Sequence, residues 1–254
     1  MPNAILYFPR GRYDFWPQHA VEKVYFESNT TDNNPKRNAI FIYGMQGLKI
    51  EGGGSSFIYH DRIQPFTIDS SRDIIIQNLS IDWDIPLTAQ AEVLDTGSNF
   101  VDLQIDEQQY PFIIEKGKLV FVGEGWKSAV FAAMDFDRGS HRIAYRTGDS
   151  PGALGAGWRE YQAEKLGSGR VRLHYPFKRL PQIGNILVLR HSARDHAMVF
   201  IRKSDHVQID HVTGYHCAGL GMLSQYSSNL SFTNVAIIPN QAKHRYFSGH
   251  DDGL

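Results

Sequence analysis

Two adjacent carboxylates near the end of the chain are the residues best suited to chemistry. Asp251 and Asp252 stand between His250 and Gly253. Two carboxyl groups held close together cannot both ionise easily, so one keeps its proton to a higher pKa and can act as an acid. Cleavage of a glycosidic bond needs such an acid together with a second carboxylate. We therefore take Asp251 and Asp252 as the candidate general acid and base, with the two roles unassigned.

The same short sequence has a structural alternative, because Asp-Asp-Gly is also common in turns. Neighbouring residues on a strand point to opposite faces, so both carboxylates can face one groove only if the strand bends there. Gly253 permits such a bend. The sequence stops at Leu254, and we expect a fragment of a longer protein whose chemistry lies at this end.

Composition excludes several classes of partner. The 254 residues allow one large domain, or one domain with an insertion. The 26 basic and 27 acidic residues nearly cancel, which argues against a nucleic-acid binder. No stretch approaches the roughly 20 apolar residues of a membrane span. Cys217 is the single cysteine, so no internal disulfide can form. No signal peptide is visible, and we expect the N-terminus to be cut as well.

Short alternating segments without a sustained helical period predict an all-β fold. Four of these segments share one pattern, with apolar residues at their fourth and sixth positions and, in the last three, at the ninth. They begin at Met45, Ser71, Ser204 and Ser227, so consecutive starts differ by 26, 133 and 23 residues. Repeats of this length stack, because none can bury its apolar side alone. We predict a right-handed parallel β-helix.

The polar features of the repeat are expected to be structural. Asn78, His211 and Asn234 share the eighth position of their segments, where polar residues of stacked coils can form a ladder. The sequence Glu51-Gly-Gly-Gly54 lacks the Gly-Lys-Ser/Thr ending of a phosphate-binding loop. We take it as a turn.

The interval of 133 residues is too long for a single coil. One coil of roughly 25 residues leaves about 108 residues of insertion. We therefore predict an inserted domain at 88–189, with 1–87 and 190–254 forming the β-helix, which continues beyond the C-terminus. Alternating segments punctuated by Gly and Pro predict a small antiparallel β-barrel or sandwich for the insertion. These segments are 91–94, 100–105, 118–122 and 170–174.

The repeat also predicts which residues share one corner of successive coils. The interval of 133 residues takes Trp83 to His216, and the pattern at 215–220 recurs at 249–254. Binding residues of repeat proteins gather on one face, from which insertions also leave. An aromatic ring can serve as a flat platform for a sugar, and histidines can bind hydroxyls or tune a carboxylate. The predicted substrate contacts at this corner are Trp83, Asp84, His216 and His250.

Each of these residues also has a plainer explanation. Trp83 could cap the core where the insertion departs, and His216 and His250 could be solvated turn residues. The cluster of histidines and aspartates lacks a ligand spacing such as His-x-x-x-His, so we predict no metal site.

Three stretches of the chain carry a family resemblance in their order and spacing. They are Phe8-Pro-Arg-Gly-Arg-Tyr-Asp-Phe-Trp-Pro17, Ile81-Asp-Trp-Asp-Ile-Pro-Leu-Thr-Ala-Gln90 and His250-Asp-Asp-Gly253. The first resembles the opening of pectin-lyase-like β-helix proteins. Together they resemble glycoside hydrolase family 110, the α-1,3-galactosidases of gut and marine bacteria. The resemblance covers essentially the whole chain, including the insertion.

This resemblance implies an exo-acting hydrolase that removes terminal α-1,3-linked galactose with inversion and needs no metal or organic cofactor. Inversion requires carboxyl groups about 6.5–9.5 Å apart, with a water between one of them and the sugar. If Asp251 and Asp252 do not diverge that far, the partner is expected to be Asp84, Asp195 or a residue beyond Leu254. The resemblance also implies a longer bacterial protein, secreted or periplasmic, and we expect the fragment alone to be inactive. A homo-oligomer is compatible with the sequence.

Two alternatives use the same fold. A polysaccharide lyase would acidify a uronate with a cation and use a basic residue such as Arg194 or Lys203 as base, but no acidic calcium cluster is evident in the sequence. A non-enzymatic β-helix of the adhesin or tailspike type would bind glycans without cleaving them.

Overall fold

The computed structural model describes residues 4–31, 33–148, 154–155, 158 and 160–249. These residues form 22 strands and two 3-10 helices, Pro17–His19 and Gln241–Lys243. The all-β class predicted from the sequence is confirmed. None of the helices in the described ranges is long and apolar enough to cross a membrane. His250, Asp251 and Asp252 lie outside the described residues.

The strands are numbered in chain order. The first seven are β1 (Ala4–Tyr7), β2 (Arg12–Phe15), β3 (Val21–Lys23), β4 (Lys36–Tyr43), β5 (Gln46–Tyr59), β6 (Gln64–Asp69) and β7 (Arg72–Trp83). The next ten are β8 (Ala89–Gly97), β9 (Phe100–Gln104), β10 (Phe112–Glu115), β11 (Lys118–Val122), β12 (Lys127–Ala129), β13 (Ala132–Asp137), β14 (Arg142–Ile143), β15 (Gln162–Gly167), β16 (Arg170–His174) and β17 (Ile186–Arg190). The last five are β18 (Ala197–Arg202), β19 (Asp205–Gly214), β20 (Leu220–Gln225), β21 (Ser228–Thr233) and β22 (Ala236–Ile237).

The chain divides into two compact units. One consists of Met1–Asp84, Ala193–Asn240 and Ser248–Leu254, and we call its described residues the parallel unit. The other consists of Ile85–Ser192 and Gln241–Phe247, and we call its described residues the antiparallel unit. The chain therefore leaves the parallel unit after β7, returns to it before β18, and visits the antiparallel unit once more shortly before its end.

Within the described residues, the parallel unit contains two sheets that the chain visits in alternation. One sheet has the order β1-β5-β7-β19-β21, with β2 also on β5 and β22 on β19. The other has the order β20-β18-β6-β4-β3. All of these pairings are parallel except that between β3 and β4. Because β7 pairs with β19 and β6 with β18, the strands on either side of the long excursion are direct neighbours in both sheets.

The register of the parallel sheets follows the intervals found in the sequence. Gln46 pairs with Arg72, Arg72 with Asp205, and Asp205 with Ser228. These partners are 26, 133 and 23 residues apart. A line of serines joins successive strands, because Ser71 Oγ accepts the N–H of Met45 at 3.1 Å. In the same way Ser204 Oγ accepts the N–H of Ser71, and Ser227 Oγ that of Ser204, each at 3.1 Å.

Residue types at two positions of each segment are explained by backbone conformation. The third position has positive φ in all four segments, at Gly47, Asp73, His206 and Asn229, and the eighth has positive φ at Asn78, His211 and Asn234. Glycine, asparagine, aspartate and histidine are the residues that most readily adopt this left-handed conformation. The side chains of Asn78, Asn229 and Asn234 each bond to a carboxylate of the neighbouring strand, Glu51, Asp205 and Asp210 respectively.

The core of the parallel unit consists of apolar side chains stacked in register across both sheets. Inward positions line up from strand to strand because alternate residues share a face. Representative buried members are Ile50, Ile76, Ile209, Phe66, Val199, Ile68 and Ile201.

The antiparallel unit is built from antiparallel pairs in its described residues. Its larger sheet has the order β14-β13-β17-β8-β9-β16-β15, and its smaller sheet has the order β10-β11-β12. The four segments expected to be strands in the insertion correspond to β8, β9, β11 and β16. Buried aliphatic and aromatic side chains form its core, among them Val101, Leu103, Leu119, Phe121, Val171, Leu173 and Leu187.

Candidate functional site

Trp83 is the last residue of β7 and lies on the inward face of that strand. It follows Leu79 and Ile81 at alternate positions, and all three side chains are buried. The Trp83 Nε1–H donates to the Asp61 carbonyl oxygen at 2.9 Å. Trp83 is fully buried. It therefore belongs to the core, as the plainer explanation proposed, and it offers no exposed surface on which a sugar could pack.

His216 lies beside Trp83, as the interval of 133 residues predicts. The centroids of the two rings are 5.4 Å apart at an angle of 81°, an edge-to-face contact. On another side of Trp83 the ring of His196 is stacked at 6.2 Å and 22°. His216 is 1% exposed, so it is a core histidine in the described part of the chain. Its assignment as a substrate contact stays a prediction.

Asp84, the residue after Trp83, is exposed and belongs to a surface cluster. Its backbone N–H donates to the Tyr59 carbonyl oxygen at 3.2 Å, which fixes it at the end of the β5–β7 pair. Its carboxylate accepts a hydrogen bond from Arg12 Nη2 at 3.0 Å. The same Arg12 nitrogen lies 2.7 Å from Asp14 Oδ1, so one guanidinium joins two carboxylates.

The surface cluster continues to His60 and Trp16. His60 Nε2 lies 2.9 Å from Asp14 Oδ1. The buried His60 ring stacks on Trp16 with centroids 3.7 Å apart and planes within 6°. Trp16 is 39% exposed, so one face of its ring is covered by His60 while the residue remains open to solvent. We call Arg12, Asp14, Trp16, His60 and Asp84 the Trp16 cluster.

The hydrogen bonds of the Trp16 cluster favour the charged form of Asp14. The hydrogen bond from Arg12, followed by that from His60, lowers the pKa of Asp14 even though burial opposes this shift. The hydrogen bonds to Asp14 and Asp84 in turn raise the pKa of Arg12. Charged groups beside an exposed aromatic face are suited to a sugar, whose apolar face packs on a ring while its hydroxyls bond to the polar groups.

Asp195 occupies a buried polar network. One carboxylate oxygen accepts a hydrogen bond from Asn33 Nδ2 at 2.6 Å and a longer one from Thr31 Oγ1 at 3.4 Å. The other oxygen lies 3.3 Å from Arg62 Nε. The Lys36 ammonium donates to the Asp195 carbonyl oxygen. Both carboxylate oxygens are thus already engaged, which fits a structural role better than direct work on a substrate.

Two further buried groups, Glu27 and His196, contact the backbone of Ala197. The Ala197 N–H donates to Glu27 Oε2 at 3.3 Å, and His196 Nδ1 lies 3.3 Å from the Ala197 carbonyl oxygen. Burial raises the pKa of Glu27 to about 7, an effect that the charge of Lys36 partly opposes. Burial also lowers the pKa of His196 to about 3, and the charge of Lys36 acts in the same direction.

The residues immediately before the candidate catalytic pair are held against Cys217. The Cys217 N–H donates to the Ser248 carbonyl oxygen at 2.7 Å, and Gly249 is buried against Cys217. Gly249 is the last described residue, so the predicted roles of His250, Asp251 and Asp252 stay predictions. Ser248 and Gly249 lie beside Cys217, the residue that follows His216.

No local sequence pattern marks Trp16, His60, Arg12 and Asp14 as site residues. They come together because β2 pairs in parallel with β5, with Phe15 opposite Tyr59. No local pattern carries that long-range pairing. The sequence offers one indication of this site. A Trp-Pro pair directly follows a short strand in which charged and aromatic residues alternate.

A protein-family comparison matches part of the chain. Residues 89–187 match the GLAA-B beta-barrel domain I. The matched range lies inside the antiparallel unit. This part of the molecule is therefore similar to a β-barrel domain.

The whole chain is similar to curated bacterial glycosidases. It is 50% identical over its full length to alpha-1,3-galactosidase B of Bacteroides thetaiotaomicron, of which it covers 41%. It is 29% identical to alpha-1,3-galactosidase A of Shewanella woodyi, over 97% of this chain and 40% of that protein. It is 28% identical to alpha-1,3-galactosidase A of Bacteroides fragilis, over 98% of this chain and 41% of that protein. The resemblance seen in the sequence is confirmed, and the chain spans about two fifths of the length of these relatives.

Proposed function

We propose that the full-length protein is an exo-acting, inverting glycoside hydrolase that removes terminal α-1,3-linked galactose from glycans. The observation that carries this proposal is the 50% identity, over the whole chain, to a relative named alpha-1,3-galactosidase B. Such a protein meets its glycan outside the cytoplasm, so a secreted or periplasmic location is part of the proposal. The names of the relatives give no support to the lyase or to the adhesin alternative.

Asp251 and Asp252 are the proposed general acid and base. The acid protonates the leaving oxygen, and the base activates a water on the opposite side of the sugar ring. Asp84 is the better placed of the alternative partners, because it is exposed beside Arg12, whereas both oxygens of Asp195 are engaged. His250 is the proposed neighbour that binds hydroxyls or tunes the pair.

The Trp16 cluster is the proposed substrate contact in the described part of the chain. Trp16 offers an exposed aromatic surface stacked on His60, and His60 links it through Asp14 to Arg12 and Asp84. This arrangement supplies the platform that the sequence assigned to Trp83.

The proposed architecture is a right-handed parallel β-helix of the pectin-lyase type, with 88–189 as an inserted β-barrel or sandwich domain. It is supported by the alternation of β4 to β7 and β18 to β21 between two sheets of matching strand order. The match of residues 89–187 to a β-barrel domain supports the insertion. Repeated coils of this kind present one long edge, and the catalytic pair is proposed to lie on it.

The test uses the full-length protein and a trisaccharide ending in α-1,3-linked galactose. Wild type should release galactose, and Asp251→Asn and Asp252→Asn should each lower kcat by about 10²–10⁴. Asp73→Asn is a matched control, since Asp73 is exposed and has a positive φ that asparagine also adopts. Near wild-type turnover in both catalytic variants would refute the assignment. A product that absorbs in the ultraviolet would instead indicate a lyase.

A further inference from the structure

The stretch of chain just before the proposed catalytic pair is bound to the antiparallel unit. Residues Gln241–Phe247 belong to that unit, although the residues on both sides of them belong to the parallel unit. We call Gln241–Phe247 the tether. Only three residues separate its end from Asp251.

Two glutamines hold the tether by hydrogen bonds. Gln90, on β8, donates from Nε2 to the His244 carbonyl oxygen at 2.7 Å and accepts the Tyr246 N–H at Oε1 at 3.0 Å. Gln109, in the turn after β9, donates from Nε2 to the Lys243 carbonyl oxygen at 3.2 Å and accepts from Arg245 Nε at 2.7 Å. Each amide therefore uses both its donor and its acceptor on the tether, three of the four bonds going to backbone groups.

Aromatic packing secures the end of the tether. Tyr246 and Phe247 pack against the cluster that contains Phe136, with ring centroids 6.2 and 6.5 Å from that ring. The Tyr246 ring also stacks on His141 at 4.5 Å with planes within 4°. Such contacts fix both the position and the direction of the backbone as it leaves Phe247.

We propose that Gln90 and Gln109 are positioning residues, which hold the tether so that the backbone leading into Asp251 and Asp252 is fixed. This inference rests on the proposed function, in which that pair is the acid and base. Four residues of chain reach at most about 14 Å, so anchoring at Phe247 restricts where Asp251 can lie. A displacement of about 1 Å of a reacting group can cost 10²-fold in rate.

A neighbouring glutamine lines the same cavity but bonds elsewhere. Gln104 lines the same cavity of about 350 Å³ as Gln90, Gln109 and His244. Its side chain donates instead to the carbonyl oxygens of Ile105 and Ser168, both at 3.4 Å. Gln104→Ala is therefore a matched control, since it removes a glutamine from the same cavity without touching the bonds to the tether.

The experiment compares Gln90→Ala, Gln109→Ala and Gln104→Ala in the full-length protein. Trypsin cleavage after Lys243 and Arg245 reports whether the tether is held, since Arg245 is 4% exposed. We expect Gln90→Ala and Gln109→Ala to be cleaved there about tenfold faster, and their kcat on the α-1,3-galactosyl trisaccharide to fall about tenfold or more, with KM changed less than about twofold. Gln104→Ala should match wild type in all three measurements.

A conservative variant sharpens the result. Gln109→Glu keeps an acceptor for Arg245 and loses only the donation to Lys243, so its kcat and cleavage rate should fall between those of wild type and Gln109→Ala.

The outcomes separate this inference from the proposed function. Faster cleavage with unchanged kcat would overturn the positioning role and leave the galactosidase proposal standing. An equal fall of kcat in Gln104→Ala would also overturn it, because a general loss of integrity would then explain the data. If wild type releases no galactose, the proposed function fails and the positioning role fails with it, whatever the trypsin result.

Discussion

Gly249 packs so closely against Cys217 that a larger residue at this position would force a neighbour to shift. A Cβ on Gly249 would overlap the Cys217 Sγ atom, while the Cys217 Cβ and carbonyl oxygen would both be 3.7 Å away, an ordinary contact. The Cys217 N–H also donates to the Ser248 carbonyl oxygen at 2.7 Å. The backbone of Ser248 and Gly249 is therefore held against Cys217.

Gly249→Ala should destabilise the protein by about 1–3 kcal/mol, because an added methyl group in a packed site forces its neighbours to shift. It should also lower kcat, since Asp251 and Asp252 follow within three residues. Thermal unfolding and steady-state kinetics measure the two effects. The double variant Cys217→Ala/Gly249→Ala removes the sulfur and should recover most of the loss. A single variant with wild-type stability and turnover would contradict this tight packing.

Glu27 should make stability depend on pH in a defined direction. Its pKa is raised by burial from 4.5 to about 7, so between these values the folded state holds a proton that the unfolded state has lost. Its contribution is therefore fully present below pH 4.5 and is lost as pH rises through 7. Glu27→Gln should equal wild type near pH 4 and exceed it at pH 8 by up to about 3 kcal/mol.

Denaturant unfolding across this pH range measures the difference between the two proteins. Glu22→Gln is the control, because the Glu22 side chain is 58% exposed and its removal should give no such pH-dependent gain. A constant difference between wild type and Glu27→Gln from pH 5 to pH 8 would show that Glu27 does not titrate in this window.

Trp16 and Trp83 should respond differently to mutation. Trp16→Ala removes the exposed platform and should raise KM about tenfold, which corresponds to about 1.4 kcal/mol of binding. Its kcat should change little, and Trp16→Tyr should recover part of the loss. Trp83→Phe should mainly lower the melting temperature, because it leaves a gap in the core and removes the hydrogen bond to the Asp61 carbonyl oxygen. If instead Trp83→Phe raised KM and Trp16→Ala left it unchanged, Trp83 and not Trp16 would be the residue on which the sugar packs.

Ser204 should contribute to stability through the bond it makes to the next strand. Its Oγ accepts the buried Ser71 N–H at 3.1 Å, and Ser204→Ala would leave that donor without this acceptor. The expected cost is about 1–3 kcal/mol in the free energy of unfolding. Ser231→Ala on the exposed strand β21 is the control and should stay within about 0.5 kcal/mol of wild type. If Ser204→Ala and Ser231→Ala changed the free energy of unfolding equally, the hydrogen bond from Ser71 to Ser204 would not contribute to stability as proposed.

The strand register of the parallel unit could be predicted because two signals agreed. Apolar alternation marked the buried positions, and Asp, Asn and His recurred where φ is positive. The intervals of 26, 133 and 23 residues in the sequence are the same as those between paired strands. The alternation through Leu79 and Ile81 also predicts a buried Trp83. The prediction of a sugar platform at Trp83 did not take this into account.

Other features depend on contacts that no local pattern carries. Glu51-Gly-Gly-Gly54 is not a turn but a bulge inside β5, where the register shifts between Glu51 and Ser55. A Cβ on Gly52 would lie 2.5 Å from the Asn78 carbonyl oxygen of the next strand, so glycine is required by close approach. The partners of Asp195 and the contact of Trp16 with His60 likewise join residues far apart in the sequence.

The anomeric form of the first product tests the central claim most directly. Proton NMR should follow the full-length protein with a trisaccharide ending in α-1,3-linked galactose from the earliest time points. We expect β-galactose to appear first and only later to equilibrate with the α form, because an inverting pair delivers water to the opposite face of the sugar. α-Galactose first would mean retention and a nucleophile about 5–5.5 Å from the acid. That result, or no release at all, would contradict the proposed mechanism.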